Sequence, residues 1–176
     1  MEKCQIEEWK KRYLVEKGIY LDFVPELLEK KVNKIVSSLV GKRNFIVIVT
    51  QRLGFSKNLI DAVCFEWVNR TGLGFTIVQN ISTNCFDGEY ISSLEKSALL
   101  IIRYDKVVTQ NQQRGAVLEN LLLSRYNQRR ATIIEVLSRE WELHKISIFE
   151  QLPLLGNIIF TDNNYVKVFK VRGNYE

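Results

Sequence analysis

Three observations predict a three-layer α/β domain built on a mostly parallel sheet. Apolar β-type runs and helix-period stretches alternate four times, the pattern of a parallel sheet with right-handed crossover helices. One run, Ala98–Ile102, is apolar without interruption, as in a strand covered on both faces. The length, 176 residues, with 46% hydrophobic and 26% charged composition, suits one globular domain with a sizeable core.

The elements follow in order. Glu2–Lys17 places Ile6, Trp9, Tyr13 and Leu14 at helical spacing, and Gly18 suits a helix C-cap. Ile19–Val24 reads as an extended linker and gives the one internal boundary. Residues 1–24 are then an N-terminal helix and linker, and residues 25–176 the body. Pro25 opens a second helix with the stripe Leu27, Leu28, Val32, Ile35, Val36 and Leu39, and Gly41 ends it. Strand Phe45–Thr50, helix Lys57–Asn69, turn Thr71–Gly74 and strand Phe75–Val78 come next. A short helix over Asp87–Lys96 leads to strand Ala98–Ile102, helix Gln113–Tyr126 and strand Ala131–Leu137. Arg139–Gln151 reads as a helix, and Asn157–Asp162 and Tyr165–Val171 as two closing strands around an Asp-Asn-Asn turn.

Composition narrows the function classes. The three cysteines, Cys4, Cys64 and Cys85, are widely spaced, which fits neither a disulfide framework nor a C-x-x-C metal site. They read as idle thiols of a reducing cytosol, so a cytoplasmic location is expected. No apolar run approaches the roughly 20 residues of a membrane span, and no secretory leader opens the chain. The net charge of +5 permits an acidic partner without demanding one, because 20 acidic residues are interspersed.

Asn44–Asn58, NFIVIVTQRLGFSKN, has the frame of a phosphate-binding loop: an apolar strand, a short loop with Gly54 and Lys57, then a helix. The pattern G-x-x-x-x-G-K-[ST] needs Gly at 51 and 56 and a hydroxyl at 58, where this chain has Gln51, Ser56 and Asn58. Two further segments stand in the order such an ATPase would have them, SALLIIRYD and LENLLLSRYNQRRATIIEVLS. Together, over about Asn44 to Arg139, the three resemble the AAA+ domain of bacterial helicase loaders (DnaC/DnaI type) and of IstB-type transposase helpers. The resemblance implies a three-layer αβα, P-loop NTPase-like domain of AAA+ type with a mostly parallel five-stranded sheet.

Carried over residue by residue, the resemblance implies a vestigial phosphate loop at Gly54, Ser56, Lys57 and Asn58. Lys57 aligns with the phosphate-reaching lysine, and Asn58 with the Mg²⁺-binding hydroxyl, where some loaders also have asparagine. Gln51 and Ser56 replace glycines whose bare backbone cradles phosphate. The Walker B aspartate becomes Arg103 and the catalytic glutamate Tyr104, although hydrolysis needs one carboxylate on Mg²⁺ and another on the attacking water. The γ-phosphate-sensing asparagine becomes Leu137, and Ile148–Gly156, where the arginine finger falls, holds no arginine. The resemblance also places the sensor strand between the first and third strands, which brings Glu135 within reach of Arg103 for an ion pair in the vestigial site. A plain α/β domain, with Lys57 a solvated lysine and Arg103 an exposed strand end, is the bland alternative.

Ser124–Arg130, SRYNQRR, offers Arg125, Arg129 and Arg130 to a phosphate backbone and Tyr126 to a base. The same residues also fit a solvated helix end, where cations meet the C-terminal dipole. His144 is the only histidine and lacks partners at ligand spacing, so no metal site is expected. The N-terminal helix either packs on the body or lays its apolar stripe in a partner's groove.

These readings converge on a catalytically inactive AAA+ accessory protein that acts by protein contacts in DNA replication or mobile-element maintenance, as a helicase-loader-like subunit or a loader decoy. Its expected partner is a replication or AAA+ protein such as a helicase or loader, with no cofactor beyond weak ATP or ADP binding. Two alternatives stand beside it: an ATP-binding loader or transposase-helper enzyme with a rearranged site, and a basic single-stranded-DNA-binding module.

Overall fold

A computed structural model describes residues 3–42, 44–51, 56–78, 87–103, 112–137, 152–162 and 164–171. The elements run α1 (Lys3–Glu16), α2 (Glu26–Val40), β1 (Phe45–Thr50), α3 (Lys57–Thr71), β2 (Phe75–Val78) and α4 (Gly88–Lys96). After these come β3 (Leu99–Arg103), α5 (Gln112–Asn127), β4 (Ala131–Leu137), α6 (Pro153–Thr161) and β5 (Val166–Lys170). The sheet order is β2-β3-β4-β1-β5, and every pairing is parallel. Thus β4 lies between β1 and β3, as the resemblance implied.

Strand alternation divides the core into two layers. Ile46 and Ile48 of β1, Leu99 and Ile101 of β3, and Ile133 of β4 face one cluster with α2 and α3. Phe45, Val47 and Val49, Leu100 and Ile102, and Ile134 and Val136 face the other, with α5 and α6. Helices thus cover both faces of an all-parallel sheet, which explains the near-continuous apolar strands.

The N-terminal segment shares the first cluster: Leu14 and Ile19 are buried with Leu28, Val32 and Ile35 of α2. Gly18 closes α1 at φ 77°, a left-handed value that costs glycine no Cβ clash, and the Ile19 N–H donates back to the Leu14 carbonyl at 2.9 Å. The Tyr13 hydroxyl donates to the Phe75 carbonyl at 3.0 Å and accepts from the Phe75 N–H at 2.9 Å. It thereby satisfies both backbone groups on the free edge of β2. A side chain at Gly74 would bring its Cβ within 2.7 Å of that hydroxyl, so this approach needs glycine. Tyr13→Phe leaves two backbone groups unpaired and is expected to cost about 1–3 kcal/mol in urea unfolding. A cost within about 0.5 kcal/mol, the level of an ordinary surface substitution, would show that the hydroxyl does not hold β2.

The closing region corrects one expectation. Asn157–Asp162 is not a strand but the second half of α6, ended by Asp162. Pro153 stands in its first turn, where the missing N–H costs nothing. The Glu119 carboxylate of α5 accepts from the Leu154 and Leu155 N–H groups at 2.8 and 3.0 Å. An apolar run that reads as either strand or helix is thus made helical by a cap from another element. The helix expected over Arg139–Gln151 lies outside the described residues. Among the described residues, no helix is long and apolar enough to cross a membrane.

Candidate functional site

The C-terminal ends of the parallel strands, on the α3 side, gather the site. Thr50 follows Ile48 on β1 by two residues, Arg103 follows Ile101 on β3, and Glu135 follows Ile133 on β4, so all three share the face that α3 covers. In register, Glu135 lies opposite Ile48 on one side and Arg103 on the other. Ser56, the residue before α3, points its hydroxyl into the same place.

The Glu135 side chain is wholly buried, and its carboxylate is the hub. Oε2 accepts from Arg103 Nε at 3.0 Å, closing an ion pair whose arginine side chain is 14% exposed. Oε1 accepts from Ser56 Oγ at 2.7 Å and Thr50 Oγ1 at 3.5 Å. One carboxylate therefore ties the end of β1, the start of α3 and the end of β3 to the middle of the sheet. Its negative charge sits beside the N-terminus of α3, where the helix dipole favours an anion. Thr50 was missed at the level of sequence, although the alternation Ile46, Ile48, Thr50 puts it on this face.

The other phosphate-loop residues stand apart. The Lys57 ammonium pairs with Asp61 one turn along α3 and is 64% exposed. Asn58 is exposed on the same helix. Gly54 and Tyr104 lie outside the described residues. Leu137 lies opposite Thr50 in the β1–β4 register. Among the described residues, no group of three or more His, Cys, Asp or Glu side chains gathers as a metal would need. Cys64 is buried beneath the site, and burial, with the Asp61 charge, pushes its thiol well up, so it stays protonated and inert.

The basic turn is corrected in its principal member. Arg125 does not face solvent: its side chain is wholly buried. Its guanidinium donates to the carbonyls of Leu94, Glu95 and Ser97 at 2.9, 2.8 and 2.8 Å, to the Ala131 carbonyl at 2.6 Å and to Thr132 Oγ1 at 3.0 Å. Those first three carbonyls lie at the C-terminal end of α4, where the helix dipole favours a cation, so the guanidinium completes that helix end. Burial holds the Arg125 pKa down to about 10, still far above neutrality. Tyr126 is likewise occupied. Its ring meets Phe45 edge-on at 5.9 Å, and its hydroxyl donates to Asp162. Arg129, at φ 56°, lays its guanidinium 3.3 Å over the Tyr165 ring and 4.9 Å from that of Tyr126. Arg130 donates to the Lys96 carbonyl and to Gln128. Arg125 is thus withdrawn from solvent, while Arg129 makes its ring contacts from an exposed position and Arg130 its hydrogen bonds from a half-buried one.

No family profile matches the chain, and no curated protein matches it. Solved structures do. The DnaC helicase loader superposes with a TM-score of 0.61 at 13% identity, over 92% of this chain and 99% of that one. The chain shares its fold with the DnaC helicase loader. A primosome component of Streptococcus pyogenes serotype M3 matches with a TM-score of 0.58 at 16% identity, over 99% of this chain and 98% of that one. AMPPCP-bound DnaA from Aquifex aeolicus gives 0.63 at 11% identity, with 92% of this chain covering 50% of that one. In this fold the end of β1, the start of α3 and the ends of β3 and β4 meet at one place, and here that place is filled by the Glu135 network.

Proposed function

We propose that this AAA+-type chain is a pseudo-ATPase of DNA replication or mobile-element maintenance, which works through contacts with a helicase, a loader or another AAA+ protein rather than by turning over ATP. One observation carries the reading. The place where a loader would hold Mg²⁺ and phosphate is taken by the Arg103–Glu135 pair, with Ser56 and Thr50 donating to the same carboxylate. A magnesium nucleotide does not fit these residues. A guanidinium at the metal position repels Mg²⁺, and a buried carboxylate at the helix N-terminus repels phosphate. The charges that a ligand would bring are supplied by the chain itself, so the end of β1 and the start of α3 are held without one. A loader-shaped subunit that lacks the nucleotide switch would serve as a permanently set partner or as a decoy in a loader assembly.

The test is direct. Purified protein is expected to show no Mg²⁺-dependent ATP hydrolysis and no rise in Tm with Mg²⁺-ATP. A ligand bound only by the native state stabilises by about 2.7 kcal/mol at one hundred times its Kd, which makes a flat Tm informative. Steady hydrolysis lost in Lys57→Ala would overturn the reading in favour of an enzyme with a rearranged site. The partner half is tested by co-purification from the native host. Recovery of a replicative helicase or an AAA+ loader is expected, and recovery of neither from cells that express the protein counts against it.

A further inference from the structure

The first helix is held on the body by little apolar burial. Among the described residues of α1 only Leu14 is buried, whereas α2 buries Leu28, Val32, Ile35, Val36 and Leu39 along its length. The rest of its attachment is polar. Lys10 Nζ donates to the Asn69 carbonyl of α3 at 3.2 Å, and the Tyr13 hydroxyl serves both backbone groups of Phe75. The Trp9 ring stacks on Tyr13 at 5.4 Å and is itself 40% exposed. Because β2 ends the sheet, the Tyr13 hydroxyl stands where a neighbouring strand would put its own N–H and C=O. The edge does not need α1 for its own position: Trp67 Nε1 of α3 donates to the Gly74 carbonyl at 3.2 Å from the body side. A helix of 14 residues is marginal in water by itself, so loss of docking and loss of the helix are one event. Gly18, in its left-handed conformation, marks where that unit ends.

We infer that α1 is a detachable strap, which leaves the body as one unit while the sheet stays folded and so opens the edge of β2 that Tyr13 closes. Segments with little buried apolar surface open at lower free energy than the core, and they open as contiguous units. With α1 away, the Phe75 N–H and C=O face water, and the sheet ends in an unpaired edge. The strap thus sets whether this end of the sheet is closed or open. The inference stands on α1 and β2 alone and does not rest on the nucleotide-site reading.

Native-state hydrogen exchange of the full chain, followed by NMR at increasing urea, tests it. The amides from Trp9 to Glu16 and that of Phe75 are expected to share one protection factor, well below that of Ile46 and Ile133 in the sheet. Their urea dependence should be the weaker, because undocking exposes less surface than global unfolding. Ile134→Val, on the face that α5 and α6 cover, weakens the docked and undocked forms alike. It should therefore speed exchange in the sheet several-fold and leave α1 and Phe75 unchanged. Tyr13→Phe weakens only the docked form and should speed exchange of the α1 amides about tenfold. If the α1 amides follow the sheet in Ile134→Val, α1 leaves only when the whole domain unfolds, and the proposal fails. It fails too if those amides show no protection, since α1 is then not docked, or if Phe75 departs from α1 in either direction, since the helix then does not close the edge.

Discussion

Arg125→Ala is expected to destabilise the domain by about 4 kcal/mol, a loss reached by few single substitutions. A hydrogen bond from a charged group contributes about 1.5–3 kcal/mol, and this guanidinium makes five, which do not add independently. Its removal takes a charged donor from the carbonyls at the end of α4 and the start of β4, and it leaves a cavity where a wholly buried side chain stood. Arg125→Lys keeps the charge but not the planar fork, so it should recover only part of the loss. Arg130→Ala, at the surface of the same turn, should change stability by no more than about 0.5 kcal/mol. Urea unfolding with unchanged m-values reads the difference. Should Arg125→Ala cost under about 1 kcal/mol, the side chain is not the bolt described here and the turn faces solvent after all.

The second large effect belongs to the Arg103–Glu135 pair. Removing one partner of a buried pair costs about 3–5 kcal/mol, because the other charge is stranded. Arg103→Ala strands a carboxylate with no contact with water. Glu135→Ala strands an arginine that is 14% exposed, together with the Ser56 hydroxyl. The remaining hydroxyl donors to Glu135 set Arg103→Ala at the lower end, about 3 kcal/mol. In a double-mutant cycle the two alanines should couple by about 2 kcal/mol, and a coupling near zero would remove the pair from the account of the site. Arg103→Met/Glu135→Leu should restore most of the stability, since an apolar pair of similar volume often equals or exceeds a buried ion pair. That double variant also isolates function from folding. A stable protein that now gains Tm with Mg²⁺-ATP would show that the pair had blocked the site. A stable protein that still ignores nucleotide would place the block in Gln51 and Ser56 as well.

Much of the site was legible because strand alternation is a local property. Once β4 is set between β1 and β3, the two-residue period carries Glu135 to the face of Ile133 and Arg103 to the face of Ile101, and the pair follows. Thr50 obeys the same rule on β1. Arg125 was misread although a sign was present. Leu118, Leu121, Leu122 and Arg125 fall at helical spacing on one stripe, and all four are buried. A cation on an apolar stripe normally snorkels to water. Here it does not, because the carbonyls that receive it lie 28 to 31 residues away in the chain, at the end of α4.

The sequence by itself determined the αβα layering and the two-residue alternation that carries Arg103 and Glu135 to the faces of Ile101 and Ile133, while the place of β4 between β1 and β3 followed from the family resemblance. Backbone geometry fixes those periods residue by residue, whatever surrounds them. Only the tertiary structure decided that Arg125 is an internal bolt, that Asn157–Thr161 coils under a cap from Glu119, and that Tyr13 closes the edge of β2. Each of these depends on donors and acceptors from distant segments meeting in a water-poor interior or at the edge of the sheet, and a one-dimensional pattern holds no record of that meeting.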